Sequence, residues 1–226
     1  FHPSYAYEDF FEGFRPDKTD EGQVSFKLVA GPLRRLAEEA AKPGNESKPY
    51  FLIIDEMNRA NLAKVFGELY FLLEYRDDRI YLQYSPNEPF TLPDNLYIIG
   101  TMNTADRSIA MMDAAIRRRF SFIELHPKTE PVKGSLLRFL QARDLDTTPA
   151  LLLDALNDAI DEWDRDLMIG PSYFMKKSAQ TPKGLRRIWK YELMPLLEEH
   201  YHGQLNRAQL EERFGLEQLL GRLAHA

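Results

Sequence analysis

Two adjacent carboxylates, Asp55 and Glu56, directly follow the short apolar run "YFLII" at residues 50–54. A continuous apolar run of this length is typical of a parallel strand that is covered on both faces. In open α/β sheets, ligands bind at the carboxyl ends of the strands. At that edge the first acid could hold Mg²⁺, directly or through water, and the second could orient or polarise an attacking water. The alternative is that both acids begin a solvated turn, where negative charge suits the N-terminus of the next helix.

A second apolar run, "NLYIIGTMN" at 95–103, repeats this design, with Asn103 at its end and Thr104 and Asp106 just beyond. An amide at the edge of the sheet can hydrogen-bond a γ-phosphate oxygen or the attacking water without adding negative charge. Phosphoryl transfer needs such a group, because its catalysis is mostly positioning and electrostatics. The alternative is a polar loop that caps the following helix through Asp106 or Ser108.

Three consecutive arginines, Arg117, Arg118 and Arg119, lie in "AAIRRRF" just before a third candidate strand, "FSFIEL" at 120–125. Consecutive residues on a helix point in different directions, so they do not form one patch. One guanidinium delivered to the γ-phosphate of a neighbouring subunit's nucleotide would act as an arginine finger. The alternative is a solvated basic helix end that complements the helix dipole.

The elements that would position these side chains alternate between strand and helix patterns over about the first hundred residues. "QVSFKLV" at 23–29 alternates like a strand, and Gly31-Pro32 then opens a helical segment. Asn61 is a good N-cap for a helix whose apolar residues keep helical spacing. "RIYLQY" at 79–84 and "PFTLP" at 89–93 predict a hairpin.

From about residue 134 the strand patterns stop and helical stripes follow. The first stripe comprises Leu152, Leu156, Ala159, Ile160 and Trp163, and Trp163 is expected to be buried. The second runs over 185–197 and is expected to kink or restart at Pro195. Asn206 with Gln209 resembles a capping box for a last helical segment. The boundary is expected in "HPKTEPVKG" at 126–134, so an α/β part precedes an all-helical part.

The composition is that of an ordinary globular protein, with 44% hydrophobic and 28% charged residues. The absence of cysteine excludes disulfides and thiolate metal sites. A net charge of -6 argues against a generally basic surface that coats nucleic acid. The longest apolar runs are far shorter than the roughly 20 residues of a membrane-spanning helix. We therefore expect no membrane association and a cytoplasmic location.

Taken together, "FHPSYAYEDFFEGFRP", "FLIIDEMNRAN" and "IGTMNTADRSIAMMDAAIRRRF" closely resemble the McrB family of AAA+ proteins, the GTP-hydrolysing motor subunits of modification-dependent restriction systems. The resemblance is dense from residue 1 to about 126 and continues more loosely through "IGPSYFM" and "YELMPLLEEHY". Its most specific part is "MNTADRS". It implies an α/β AAA+ P-loop NTPase core over 1–130 and an all-helical lid subdomain over 131–226.

The resemblance also implies site residues. The family's Walker B motif falls on Asp55, the metal ligand, and on Glu56, and its water-positioning residue falls on Asn103. The trans-acting arginine is expected at Arg118 or Arg119, a choice that the sequence leaves open. Further nucleotide contacts are expected at Thr104, Asp106, Arg117, Ser172 and Tyr173. Arg59 and Arg107 are weaker candidates for interface or loop contacts.

The sequence departs from the family pattern in one respect, because no G-x-x-x-x-G-K-[ST] loop occurs in it. In the family that loop and its strand lie upstream of the segment where this chain begins. We therefore expect the chain to be part of a longer polypeptide, to leave two strands with unpaired edges, and to bind nucleotide poorly by itself. A longer product that includes the loop is expected to bind more tightly.

For the whole protein, the resemblance implies a hexameric ring, GTP with Mg²⁺ (ATP being possible), a McrC-like nuclease subunit, and DNA contact through the complex. One alternative is an ATP-using AAA+ remodelling motor unrelated to restriction. Another is a scaffold subunit that does not hydrolyse nucleotide. A preference for GTP over ATP and co-purification of a nuclease would separate these possibilities.

Overall fold

The computed structural model describes residues 1–18, 24–103 and 114–224. The chain divides into two units, Phe1–Phe122 and Ile123–Ala226, and the division lies a few residues before the boundary expected at residue 130. Strands occur in the first unit, whereas the described elements of the second are all helical. No helix in the described part of the chain combines the length and the apolar character needed to cross a bilayer.

The first unit alternates short helices and strands, as the sequence predicts. Its elements are α1 (Tyr7–Phe10), β1 (Glu12–Lys18), β2 (Val24–Ala30), α2 (Pro32–Ala40), β3 (Tyr50–Ile54), a 3₁₀ turn (Met57–Arg59), α3 (Leu62–Phe66), a 3₁₀ helix (Gly67–Leu73), β4 (Ile80–Tyr81), β5 (Pro89–Phe90), β6 (Leu96–Gly100) and α4 (Ala114–Arg117). The predicted strand at 23–29, the helix after Gly31-Pro32 and the hairpin of β4 and β5 are thus confirmed, although each hairpin strand has only two residues.

The strand pair that matters for the candidate site is β3 with β6. The two strands are parallel, in a register that pairs Tyr50 with Leu96 and Ile54 with Gly100. Because parallel strands share one carboxyl edge, Asp55 and Thr101 emerge side by side. The expectation that this strand is covered on both faces is wrong for the described residues. Ile54 is buried, but Phe51 and Ile53 are 54% and 67% exposed, because within the described residues the second face of the pair has no covering layer.

The core of the first unit lies on the other face of this pair. It is built mainly from aromatic and leucine side chains, among them Phe10, Phe11, Phe66, Leu72 and Leu96. The predicted N-cap is confirmed, since the backbone N–H of Lys64 donates to Asn61 Oδ1 at 3.0 Å. This cap starts α3 six residues after the strand-end carboxylates.

A buried ion pair ties three elements of the first unit together. Arg34 on α2 bonds Glu12 on β1, whose side chain is fully buried, and also reaches Glu88 Oε2 at 3.0 Å in the loop before β5. A buried carboxylate must be paired to offset its lost hydration, so this arginine fixes how the β1–β2 hairpin joins the unit.

The third candidate strand, "FSFIEL", is not a strand. Residues 121–126 carry no regular secondary structure, and Ile123 and Leu125 are exposed. A strand is stable only where a neighbour accepts its backbone hydrogen bonds, and no described strand pairs with this segment. A β-rich sequence pattern alone does not supply that partner.

The second unit is helical and has its own apolar core. Its helices are α5 (Ser135–Gln141), α6 (Thr148–Asp158), α7 (Pro182–Ile188), a π-helical turn (Trp189–Leu193), α8 (Met194–His200), α9 (Arg207–Phe214) and α10 (Leu216–Ala224), with 3₁₀ turns at Glu162–Leu167, Pro171–Tyr173 and Lys177–Gln180. The predicted restart near Pro195 is confirmed, since the π-helical turn leads directly into α8. Asn206 and Gln209 form the predicted capping box, with bonds of 2.9 and 3.0 Å.

The expectation that Trp163 is buried is wrong, because its side chain is 96% exposed. Helix α6 ends at Asp158, and Trp163 lies in a separate 3₁₀ turn, so the helical spacing that links it to Leu156 no longer applies. Trp189 is the buried tryptophan of this unit, and its indole N–H donates to the carbonyl oxygen of Phe214 at 2.9 Å.

Candidate functional site

The candidate site lies where β3 and β6 end. The hydroxyl of Thr101 donates to Asp55 Oδ1 in a short hydrogen bond, and the backbone N–H of Thr101 donates to the carbonyl oxygen of Ile54 at 2.9 Å. The backbone N–H of Met57 in turn donates to the carbonyl oxygen of Thr101 at 2.9 Å. The two strand ends are therefore joined on both sides of Asp55. Sequence reasoning missed Thr101; the signal that could have found it is its position one residue after a parallel partner strand.

Glu56 has an unusual backbone conformation. Its φ of 54° and ψ of 47° place it in the left-handed region, where a residue other than glycine is strained by on the order of 1–3 kcal/mol. The turn that results brings Met57 back against Gly100, and the sulfur of Met57 occupies the space that a side chain at Gly100 would need. Strain of this kind clusters at functional sites, where the surrounding structure must hold it.

The carboxylate of Glu56 is already engaged within the first unit. Arg59 Nε lies 3.2 Å from Glu56 Oε2, and both side chains are partly exposed. The two residues also belong to the same 3₁₀ turn, in which the backbone N–H of Arg59 donates to the carbonyl oxygen of Glu56 at 3.0 Å. A carboxylate held in this way can reach a ligand at the edge of the sheet only if the arginine moves or shares the contact.

Asn103 lies at the same edge as the two carboxylates. The side-chain amide of Asn58, from the turn that follows Glu56, donates to the carbonyl oxygen of Asn103 at 3.2 Å. The structure thus brings Asp55, Glu56 and Asn103 together. The predicted contacts Thr104 and Asp106, and the weaker candidate Arg107, lie outside the described residues.

Arg117 is the last residue of α4, Arg118 and Arg119 follow it in a turn, and the three arginines have different surroundings. Arg117 and Arg118 are exposed, and the guanidinium of Arg117 lies 5.5 Å from the centre of the Phe122 ring. Arg119 is 10% exposed at its side chain, and its Nη2 lies 2.6 Å from Glu74 Oε2. The described contacts of these arginines are therefore with their own unit and not with Asp55 or Glu56.

Ser172 and Tyr173 belong to the second unit, in the 3₁₀ turn Pro171–Tyr173 that the buried ring of Phe174 anchors. Ser172 is exposed, and Lys176 Nζ lies 5.6 Å from the centre of the Tyr173 ring. That these two residues face a nucleotide stays a prediction.

The second unit also contains a cavity of about 440 Å³, lined partly by Lys128, Lys133, Asp154 and Asp158. Lys128 Nζ lies 2.7 Å from Asp158 Oδ1. Burial, with a smaller contribution from Asp158, raises the pKa of the Asp154 carboxyl above its ordinary value. None of the site residues predicted from the sequence lines this cavity.

The donor set at the strand ends fits a hard cation. Carboxylate and hydroxyl oxygens, such as those of Asp55 and Thr101, are what Mg²⁺ prefers, and Mg²⁺ usually takes only one or two protein carboxylates and completes its shell with phosphate and water. Within residues 1–18, 24–103 and 114–224, no group of three or more acidic or histidine side chains is assembled to hold a metal by itself.

Comparison with known proteins gives a family match in each unit. A family model for the AAA domain (dynein-related subfamily) matches residues 1–120, and one for the McrB alpha-helical lid domain matches residues 148–209. The Type IV methyl-directed restriction enzyme EcoKMcrB subunit of Escherichia coli (strain K12) is 38% identical over 218 residues, which cover 89% of this chain and 46% of that protein. The Type II restriction enzyme BsuMI component YdiS of Bacillus subtilis (strain 168) is 30% identical over 158 residues, which cover 54% of this chain and 46% of that protein.

The chain spans about half the length of these two relatives. The AAA domain match ends close to the end of the first unit, and the lid match lies wholly within the second. Because the AAA domain model covers more than half of the chain and the lid model covers much of the remainder, the chain belongs to the AAA+ family and is of the McrB type.

Proposed function

We propose that the carboxyl edge of β3 and β6 hydrolyses a nucleoside triphosphate, with GTP the expected substrate. The observation that carries this proposal is the parallel register that sets Asp55 beside Thr101 and brings Glu56 and Asn103 to the same edge. Two carboxylates, a hydroxyl and an amide at the end of parallel strands suit phosphoryl transfer, in which positioning and electrostatics supply most of the catalysis.

Each residue has a distinct role in this proposal. Asp55, oriented by the hydroxyl of Thr101, holds Mg²⁺, which when bound neutralises charge on the phosphate oxygens. Glu56 orients and polarises the attacking water, and Asn103 donates to a γ-phosphate oxygen or to that water. Thr104, Asp106, Arg117, Ser172 and Tyr173 are proposed nucleotide contacts, and an arginine of the neighbouring subunit stabilises the charge of the transition state.

A ring arrangement follows from an arginine that acts in trans, because its target must lie at a subunit interface. We propose a hexamer that drives DNA translocation for a partner nuclease in the cytoplasm. Support comes from the names of the two relatives, one a subunit and the other a component of a restriction enzyme. The first unit would serve as the motor core and the second as its lid.

The experiment that tests this proposal measures GTP and ATP hydrolysis side by side by the complete polypeptide that carries this chain. Glu56→Gln is expected to retain nucleotide binding and to lower turnover by about 10²–10⁴-fold, the usual contribution of a positioned proton acceptor. Glu46→Gln, in a solvated loop of the first unit, is the matched control and is expected to keep wild-type turnover.

The outcomes separate the alternatives. GTP turnover with little ATP turnover supports a restriction-type motor, and preference for ATP supports a general AAA+ remodelling motor. Turnover that Glu56→Gln leaves unchanged contradicts the role of this residue. Binding without turnover of either nucleotide, in the presence of a co-purifying nuclease, supports the scaffold alternative.

A further inference from the structure

The three consecutive arginines at the end of α4 are not equivalent, although the sequence gives no reason to separate them. Arg117 and Arg118 are exposed, whereas the side chain of Arg119 is almost completely covered. The backbone N–H of Arg119 donates to the carbonyl oxygen of Ile116 at 2.9 Å, and Ile116 is itself buried in the core of the first unit. The backbone at Arg119 is therefore anchored to the core of the first unit through Ile116.

The covered guanidinium makes two contacts with one neighbouring element. Its Nη2 lies 2.6 Å from Glu74 Oε2, and its Cζ lies 4.5 Å from the centre of the Tyr70 ring. Tyr70 and Glu74 belong to the 3₁₀ helix Gly67–Leu73 and its C-cap, which follow α3 in the chain. A planar guanidinium suits both contacts at once, because it can stack on a ring while it donates in its own plane to a carboxylate.

Moving the side chain of Arg119 out of this position would be unfavourable in free energy. It would leave the carboxylate of Glu74 without its cation and would uncover the face of Tyr70, whereas Arg118 needs no such release. Removal of one member of a partly buried ion pair costs more than the pair contributes, because the other charge stays desolvated. A residue that must reach another subunit is better placed when it is already exposed.

We infer that Arg119 is a positioning residue, whose ion pair with Glu74 and stacking on Tyr70 fix the end of α4 so that Arg118 points towards a neighbouring subunit's nucleotide. This inference rests on the proposed function and assigns the trans-acting arginine within it. The backbone N–H of Arg118 donates to the carbonyl oxygen of Ala114 at 3.3 Å, so the backbone of Arg118 is held between α4 and the anchored Arg119. An anchored Arg119 therefore also sets the direction of Arg118.

A charge exchange tests the assignment in the complete polypeptide. Arg119→Glu and Glu74→Arg are each expected to lower the turnover number, and the double variant is expected to recover to within about tenfold of wild type, as coupled residues do in a double-mutant cycle. Arg118→Ala is expected to lower the turnover number by about 10³–10⁵-fold with little change in nucleotide affinity, as loss of an arginine finger does. Arg143→Gln, which removes another arginine stacked on an aromatic ring, is the control and should keep wild-type turnover.

The competing assignment gives the opposite result. If Arg119 itself reached the neighbour's nucleotide, the exchanged pair would stay inactive, because position 119 would carry a carboxylate, and Arg118→Ala would keep most of its activity. That pattern in an active wild-type background overturns the inference and leaves the proposed function standing. A wild-type polypeptide that hydrolyses neither nucleotide counts against the proposed function instead.

A second readout does not depend on activity. Phenylglyoxal modifies accessible arginines, and peptide mass spectrometry of the dilute, nucleotide-free protein would give a rate for each site. Arg118 is expected to react at least about tenfold faster than Arg119, and Glu74→Gln is expected to raise the rate at Arg119 alone, because the ion pair no longer shields it. Equal rates at Arg118 and Arg119 in the wild type would overturn the inference.

Discussion

The two units of this chain differ in how completely they bury their apolar side chains. The second unit gathers leucines and aromatic rings from successive helices into one core, in which Leu152, Leu156 and Leu193 are fully buried. The first unit buries one face of β3 and β6 but exposes Phe51, Ile53, Tyr97 and Ile99 on the other, and its β1–β2 hairpin exposes Phe14 and Phe26.

The difference follows from how each element satisfies its backbone. A helix makes its hydrogen bonds within itself and needs a neighbour only along one apolar stripe. A strand needs neighbours at both edges and, when it is apolar throughout, on both faces. Among the described residues every sheet has only two strands. The unit that carries the candidate chemistry is therefore also the unit with an open apolar sheet face.

The largest expected effect comes from shortening one apolar side chain in each unit. Leu156→Ala in the second unit is expected to lower the free energy of unfolding by about 2–5 kcal/mol, because it opens a cavity in a closed core. Ile53→Ala on the exposed face is expected to change it by less than about 0.5 kcal/mol. Denaturant unfolding followed by the emission of Trp189 reports on the second unit, and hydrogen exchange of residues 50–54 reports on the first.

Equal losses for the two variants would contradict the comparison, because they would mean that the exposed face of β3 is packed in solution. Trp163→Phe supplies a background in which Trp189 is the remaining tryptophan of the chain, since the sequence has two.

An intermediate effect is expected at a buried polar link in the second unit. The side chain of Asn157 donates to the carbonyl oxygen of Ile169 at 2.9 Å and accepts from the backbone N–H of Ile169 at 2.8 Å. Asn157→Ala leaves both backbone groups unsatisfied and is expected to lower the free energy of unfolding by about 1–3 kcal/mol. The exposed cap variant Asn206→Ala, measured by the same Trp189 emission, should lose only about 1 kcal/mol. A smaller loss for Asn157→Ala than for Asn206→Ala would show that water replaces the amide.

The smallest effect depends on pH. Burial, with a smaller contribution from Asp164, raises the pKa of the Tyr201 hydroxyl to about 12. An unfolded tyrosine ionises near pH 10. Since the folded state holds the proton more tightly, this stabilisation is complete below about pH 10 and is lost as the pH rises towards about 12.

Tyr201→Phe is therefore expected to reduce the loss of stability between about pH 10 and about pH 12, measured as the shift of the Trp189 unfolding midpoint. Tyr191→Phe, at an exposed position of the same unit, is the control and should follow the wild type. A pH dependence that is the same in all three proteins would remove Tyr201 as its source.

Features that depend on a few neighbouring residues could be predicted from the sequence. The cap at Asn61, the capping box at Asn206 and Gln209, and the β4–β5 hairpin all follow from local hydrogen bonds or from turn residues, and the structure has each of them. Of the candidate site, the pattern of Asp55 and Glu56 after an apolar strand could be predicted from the local sequence. Thr101 could not, because its place beside Asp55 depends on the register of a strand more than forty residues away.

By itself the sequence determined where several helices begin and which residues could do chemistry, because caps and residue types are local properties. Only the tertiary structure decided that "FSFIEL" finds no partner among the described strands, that Trp163 is exposed, and that one face of β3 is open. It also decided that Arg119 is covered while Arg118 is exposed. These outcomes depend on which side chains or strands from distant parts of the sequence pack against each residue. The neighbouring residues in the sequence do not specify those tertiary contacts.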